Sequence, residues 1–492
     1  MTKRLSARAS GDLARNGLAS GYAPSQHAIG ILHFGCGAFF RAHQAACTDA
    51  ALEHAGGNWR IAALNLRSRG DIDALTAQDG LYTLIAKSAQ GARARVIASI
   101  GQSIAATDAR TQVLQHLQNP AVRIVTLTVT EKAYGIDRAA LDIDPNHPAI
   151  AADLADPRNP TSVLGYLVEG LRLRRAAGHA PPTILCCDNL PRNGHLLRAG
   201  VIGFAQRIDP DLADHIARNV AFPSTMVDRI TPASTDQTRK DARILTGYDD
   251  AVAVETEPFF QWVIEDNFPT GRPAWQAGGA VFVPNVEPYE NMKLRMLNGA
   301  HSMLAYGGYL SGHKYVRDVM NDPALARLVG RHLEAAAATL EPLSSIDLTD
   351  YAAQLVKRFS NPAIAHETYQ IAMDGTQKLP QRLAAPAADA RAAGQDAQAF
   401  ALAIALWMRY ATGVLDDGQT YELRDPLGDQ IAQIVAGASG DPGELARGLA
   451  AIDGLLPEAL RDDQPFMDMT ANLLERLMTQ GIRPTLYALA GF

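Results

Sequence analysis

The chain has 492 residues, 47% hydrophobic and 20% charged, with a formal net charge of −7 and a mean hydropathy close to zero. That length exceeds one ordinary domain, and the composition is that of a globular protein with a sizeable core, not of a disordered or membrane-spanning one. No lysine or arginine run dominates any region, which argues against a nucleic-acid or anionic-membrane partner.

The N-terminal stretch "MTKRLSARASGDLARNGLAS" lacks the apolar centre of a secretory signal, and no apolar run reaches the ~18 residues that span a bilayer. A cytoplasmic protein is the expectation. The four cysteines, Cys36, Cys47, Cys186 and Cys187, fall in no paired C-x-x-C spacing with nearby histidines. Neither structural zinc nor a disulfide framework is expected.

In chain order, "AIGILHFGCG" (28–37) runs from an apolar stretch into glycines, and helical spacing follows, which reads as strand, tight turn, helix. β-rich runs recur at Ile61–Leu66, Tyr82–Ile85, Val122–Val129, Thr183–Cys187 and Ala280–Val283, separated by helix-periodic segments such as 106–119 and 161–178. Such alternation predicts a mostly parallel sheet covered on both faces. From about Glu287 the strand signals stop, and apolar residues recur at helical spacing through 399–415 and 472–482. The expected organisation is a nucleotide-binding domain over 1–286 and a mainly helical domain over 287–492. The Ala-rich stretch 382–400 suggests a flexible connection or a surface helix.

"GCGAFFRAH" sets Gly35 and Gly37 between a strand and a helix, where backbone must approach a pyrophosphate and helix N–H groups must face it. Phe40 stands where the usual fingerprint has its third glycine, and a plain turn is the competing explanation. Gly35, Gly37, Phe39 and Arg41 are the candidate cofactor contacts here. The acid expected at the end of the second strand comes only late, as Asp71, while Arg67 and Arg69 stand closer. Arginines there could hold the extra phosphate of NADP; NAD is the leading expectation. "VTLTVTEKAYG" ends a β run with Thr128, Thr130 and Glu131, and "ILCCDNLPRNG" ends another with Asp188 and Asn189. The C-terminal edge of a parallel sheet is where ligands settle, although strands must also end in polar residues for ordinary reasons.

"NMKLRMLNGAHSMLAYGGYL" (291–310) has the apolar spacing of a core helix yet carries Lys293, Asn298 and His301. On a regular α-helix these lie at roughly 0°, 140° and 80°, on one half of the circumference. A lone buried histidine is usually a satisfied core residue and a lone lysine usually snorkels out, but three oxygen-binding groups together suggest a catalytic stripe. A desolvated lysine loses part of its preference for the charged form, which suits a general base. "YENMK" (289–293) mimics the Y-x-x-x-K pair of short-chain dehydrogenases, but it opens the helical half and is taken as coincidence.

Together, "GCGAFFRAH", "TVTEKAYG", "CDN", "FPSTMVDRITP", "EPFFQWVIEDNF", "KLRMLNGAHS" and "RFSNPAIAHETYQIAMDGTQKLPQR" resemble the polyol-specific long-chain dehydrogenases, the mannitol dehydrogenase family, over residues from about 28 to 410. The resemblance implies a Rossmann-type domain, a helical C-terminal domain and a metal-free site between them. It further implies Lys293 as general base, Asn189 and Asn298 as binders of the reacting oxygen, and His301 as a substrate-positioning group. Asp228 and Glu290 match positions bordering the substrate and the proton path. Within the family the motifs are most similar to the fructuronate reductases. The implied substrate is then an open-chain sugar acid, with a neutral polyol such as mannitol as the alternative, and Lys378 and Arg382 are the basic groups that could meet a carboxylate. Their competing role is an ordinary ion pair. One departure is Phe260 of "EPFFQW", where fructuronate reductases can show arginine. The resemblance permits a monomer, and a non-catalytic nucleotide-binding protein on the same fold would have no use for the lysine.

Overall fold

The computed structural model describes residues 3–138, 140–343 and 346–492, and the chain divides into two compact units, Met1–Glu287 and Pro288–Phe492.

The first unit is built on a five-stranded sheet. Its strands are β1 (Ile29–Phe34), β2 (Arg60–Asn65), β3 (Ile100–Ala105), β4 (Ile124–Leu127) and β5 (Thr183–Cys186). They lie in the order β5-β4-β1-β2-β3, and every pairing is parallel. This is the Rossmann-type arrangement, in which the strand order reverses beside β1 and opens a crevice at the carboxyl ends of the strands. The strands are nearly continuously apolar because both faces are covered. Alternate residues serve opposite cores: Leu32, Phe34, Leu64, Val125 and Leu127 face one, and Ile31, Ile61, Ala63, Ile124 and Leu185 the other. Register aligns Phe34 with Leu64 and Leu127, and Leu127 with Cys186, so the segments leaving β1, β2, β4 and β5 emerge along one edge.

Two readings of the strands need correction. Ile100–Ala105 is a sheet strand although "IGQSIA" does not look like one. It is an edge strand, where polar residues are tolerated, and its Gln102 Oε1 lies 2.9 Å from His116 Nε2. Tyr82–Ser88 stands outside the main sheet, pairing antiparallel with Gly91–Ile97 and parallel with Val254–Thr256. Three further strands, β6 (Thr225–Asp228), β7 (Gln261–Glu265) and β8 (Ala280–Val283), form a separate small sheet in the order β6-β7-β8.

Among the described residues three helices contain a π-helical segment: α1 (38–55) at Arg41–Ala45, α2 (287–310) at Lys293–Asn298 and α3 (375–392) at Pro380–Ala384. The second unit is helical. Gly299–Leu310 of α2 is buried almost throughout and packs against Pro323–Ala338, Thr368–Ala372 and Gln398–Ala411. Gln398–Ala411 is buried along its whole length from Phe400, as an all-round apolar helix must be. The Ala-rich stretch forms part of α3, with Pro386, Ala387 and Ala390 buried, and is no flexible connection. Among the described residues no helix is long and apolar enough to cross a membrane.

Candidate active site

In the first unit the turn after β1 is tied down from three sides. Gly35 takes φ +99°, and a Cβ there would come 2.0 Å from the carbonyl oxygen of Thr128, so only glycine lets β1 and the β4 exit approach. The Gly35 N–H donates to Leu64 C=O at 2.8 Å, the Cys36 N–H to Asn65 Oδ1 at 2.8 Å, and the Thr128 hydroxyl to Gly35 C=O at 2.8 Å. His33 braces the turn from below, with Nδ1 at 2.8 Å from Thr126 Oγ1 and Nε2 at 3.0 Å from Gly35 C=O. Burial lowers its pKa to about 3, so the ring is neutral. Phe40, in the third-glycine position, stacks on this imidazole at 3.5 Å between ring centroids. The motif departs from three glycines because an aromatic floor fills the place.

Beside that turn lies a cavity of about 530 Å³, whose lining includes Gly35, Gly37, Asn65, Asp71, Thr128 and Thr130. A Cβ on Gly37 would meet only the Gly35 carbonyl, at 4.0 Å, so the missing side chain leaves open space at the start of α1. No side chain caps the first turn of α1, which leaves its N–H groups for a phosphate. The donor set therefore fits a dinucleotide's pyrophosphate. Arg67 lines the cavity, whereas Arg69 pairs with Asp73 and Asp108.

Of the sequence candidates, Gly35, Gly37, Asp71 and Thr130 come together at this cavity, and Phe39, Arg41 and Glu131 are not among its lining. Arg41 is 2% exposed and holds Val252 C=O at 2.9 Å, Asp71 at 2.8 Å and Gly37 C=O at 3.3 Å. Glu131 pairs with Arg138 at 2.7 Å, and Phe39 stacks on His43. Asn65, at the end of β2, was not singled out in the sequence; only its strand-end position could have marked it. Asn189 is exposed just beyond β5, and Asp228 is buried at the end of β6. Phe260 packs on His43, with ring centroids 4.4 Å apart.

In the second unit Lys293 and His301 are buried, and Asn298 and Glu290 half-buried. The angular reading of α2 is corrected here. Lys293 to Asn298 is a π segment, and its i→i+5 bonding sets residues five apart close to one turn above each other, where a regular helix would swing them well apart. Gly299 follows at a close approach: a Cβ there would lie 3.0 Å from the Arg382 carbonyl, so the π segments of α2 and α3 pack side by side.

His301 packs against Phe359 at 4.8 Å and His366 at 5.3 Å between centroids. Its pKa is driven well below the usual value, first by burial and then by repulsion from His366, Arg382, Arg358 and Lys293. Basic side chains thus crowd a neutral imidazole. The Nε2 of His301 and the hydroxyl of Tyr306 are buried without hydrogen-bond partners. Arg382, half-buried and with its pKa lowered by burial, donates only to Ser302 Oγ at 3.4 Å and makes no ion pair among the described residues. Lys378 is occupied, donating to Met373 C=O at 2.5 Å and Ile371 C=O at 3.3 Å, with Asp374 at 3.8 Å. Ser302 and Tyr306 escaped the sequence reading although they continue the Asn298 stripe at four-residue spacing. Arg358 and His366 carry no sequence signal, because only packing brings them to α2. Among the described residues no cluster of His, Cys, Asp and Glu suited to a metal ion occurs.

A Rossmann-type unit with a glycine-turn cavity, followed by a helical unit with a buried lysine, asparagine and histidine on one helix, defines a chain of the nicotinamide-dependent dehydrogenase class. The sequence profile of the mannitol dehydrogenase Rossmann domain matches residues 29–277, and that of the mannitol dehydrogenase C-terminal domain matches residues 285–477. The chain belongs to the mannitol dehydrogenase family of oxidoreductases. It is 43% identical to the oxidoreductase YeiQ of Escherichia coli K12, over 93% of both chains. It is 41% identical to the D-mannonate oxidoreductase of the same organism, over 93% of this chain and 95% of that one. Among solved structures, Pseudomonas fluorescens mannitol 2-dehydrogenase, in ternary complex with NAD and D-mannitol, superimposes with a TM-score of 0.83 at 36% identity, over 99% of both chains.

Proposed function

We propose that the protein interconverts an open-chain keto sugar acid and its alcohol, fructuronate and mannonate, with NAD. The observation that carries this reading is the unspent donor set around His301: Arg382 without a carboxylate, and His301 Nε2 and Tyr306 Oη without partners. Polar groups withdrawn from water without partners are costly, and a guanidinium is matched best by a carboxylate held through paired N–H···O bonds. A neutral polyol would satisfy the orphaned oxygens and nitrogens but leave the charge of Arg382 unmet. That charge is the reason to favour the acid over mannitol, the second reading, which the family and the mannitol 2-dehydrogenase relative support.

Bound nicotinamide supplies the hydride acceptor. The chain's own residues do the rest. As the carbinol carbon gives up its hydride, its oxygen must lose a proton, and Lys293 Nζ takes it. The amide of Asn298 donates to that oxygen as negative charge grows on it. His301, neutral among basic side chains, offers a hydrogen bond to a substrate hydroxyl without competing for the proton. Arg382 fixes the far carboxylate and so sets which carbon faces the base. In reduction the same lysine returns the proton to the ketone. The π turn of α2 serves this scheme by setting Lys293 and Asn298 on one face, as two groups on a single oxygen must be.

The test is a panel of mannonate, mannitol and related polyols with NAD and NADP, followed by the absorbance of reduced nicotinamide. Mannonate with NAD should give the highest kcat/KM; efficient mannitol oxidation with inert mannonate would reject the sugar-acid reading.

A further inference from the structure

The segment leaving β4 holds a conformation its own sequence disfavours. Thr130 sits at φ 77°, ψ 148°, a region nearly reserved for glycine and poorly suited to a β-branched side chain. One carboxylate keeps it there. Asp188, just past β5, accepts the Val129 N–H on Oδ2 and the Thr130 N–H on Oδ1, both at 3.1 Å. The Tyr134 hydroxyl donates to Oδ2 at 2.5 Å, and Asn193 Nδ2 donates to the Asp188 carbonyl at 3.1 Å. Two successive N–H groups turned toward one anion form a nest, and here the anion belongs to the chain itself. Thr128, Val129 and Thr130 line the 530 Å³ cavity, whereas Asp188 is not among its lining residues.

We infer that Asp188 is a positioning residue for the dinucleotide: its carboxylate pins Thr130 in a glycine-like conformation and thereby shapes the rim on which the cofactor rests. Without the carboxylate two N–H groups lose their acceptor, and the threonine relaxes toward negative φ, turning its side chain and carbonyl away from their present directions. An amide cannot replace it, because Asn has one acceptor oxygen and would set an NH₂ against the second N–H. The inference rests on the cavity being the dinucleotide site, as proposed above.

The test is fluorescence titration of NADH onto the full-length protein carrying Asp188→Asn, Thr130→Gly or both. Asp188→Asn should raise the NADH dissociation constant tenfold or more in the parent sequence, and less than threefold in the Thr130→Gly background, where glycine adopts the positive φ without help. Equal factors in the two backgrounds would overturn the inference, because a merely structural loss would not depend on residue 130. Should Asp188→Asn not fold, Tyr134→Phe, which keeps the carboxylate and removes its third donor, should give a two- to fivefold loss that vanishes beside Thr130→Gly; a loss that persists there overturns the inference too. Failure of the parent protein to bind NADH would instead reject the cofactor site on which the inference stands.

Discussion

Arg41 and Arg382 occupy comparable places, each within a π-helical segment and each withdrawn from water, yet they are spent differently. The guanidinium of Arg41 is consumed by two backbone carbonyls and by Asp71, and it locks the start of α1 to the turn at Val252 and to the helix that carries Asp71. That of Arg382 has one long bond to a serine hydroxyl. A side chain whose donors are used up by the fold is a strut. One whose donors are withheld implies a partner from outside the fold. The same contrast separates the surroundings: beside Arg41 a carboxylate balances the charge, while Arg382 makes no ion pair among the described residues and adds to the repulsion that keeps His301 neutral.

The contrast can be broken by substitution. The largest effect is expected at the lysine of the basic region around His301: Lys293→Ala should lower kcat by roughly 100- to 10,000-fold, the usual worth of a general base, with NADH binding kept. Undiminished turnover would remove the chemical reason for gathering those groups. Next, Arg382→Leu should cost mannonate roughly 10- to 100-fold in kcat/KM, or about 1.5–3 kcal/mol, with little change for a neutral polyol and no loss of stability. A large fall in unfolding free energy would make Arg382 a strut as well. Arg41→Leu should do the opposite, costing about 1–3 kcal/mol of stability by urea unfolding as the carbonyls and Asp71 lose their donor. The smallest effect is at His301. Its pKa is depressed in the folded state, so below pH 6.5 the unfolded chain binds a proton that the folded one refuses, and stability falls as pH falls through that window. His301→Asn should flatten the loss by about 1 kcal/mol between pH 6.5 and 5.5, measured by denaturant unfolding at both values.

Much of the first unit could be read from residues alone, because a strand, a glycine turn and a helix are local events. Gly35, Gly37, Asp71 and Thr130 reach one cavity because strand ends in a parallel sheet lie side by side. Arg41 and Glu131 are not among the lining of that cavity, and their charges are met by Asp71 and Arg138, partners that no sequence spacing announces. In the second unit the polar stripe of α2 was visible, but its geometry was not. Whether a helix carries an extra residue in one turn depends on what packs beside it, here the Arg382 backbone against Gly299, and no spacing rule contains that. Arg358 and His366 reach His301 only through tertiary packing. Phe40 lay in plain view as a departure from the fingerprint, and its purpose appeared only with His33 beneath it.

The π segment of α2 also gives this helix a reserve against a kind of change that leaves every named side chain intact. Removing one residue between 293 and 298 would let the backbone fall into ordinary α-helical bonding, and because the segment holds one residue more per turn than an α-helix does, everything downstream on α2 would keep its orientation. His301 would stay among its rings and arginines, and Lys293 and Asn298, then four positions apart, would still share a face. A residue lost from the regular turns after Gly299 has no such reserve, and would swing the remainder of the helix by about 100°.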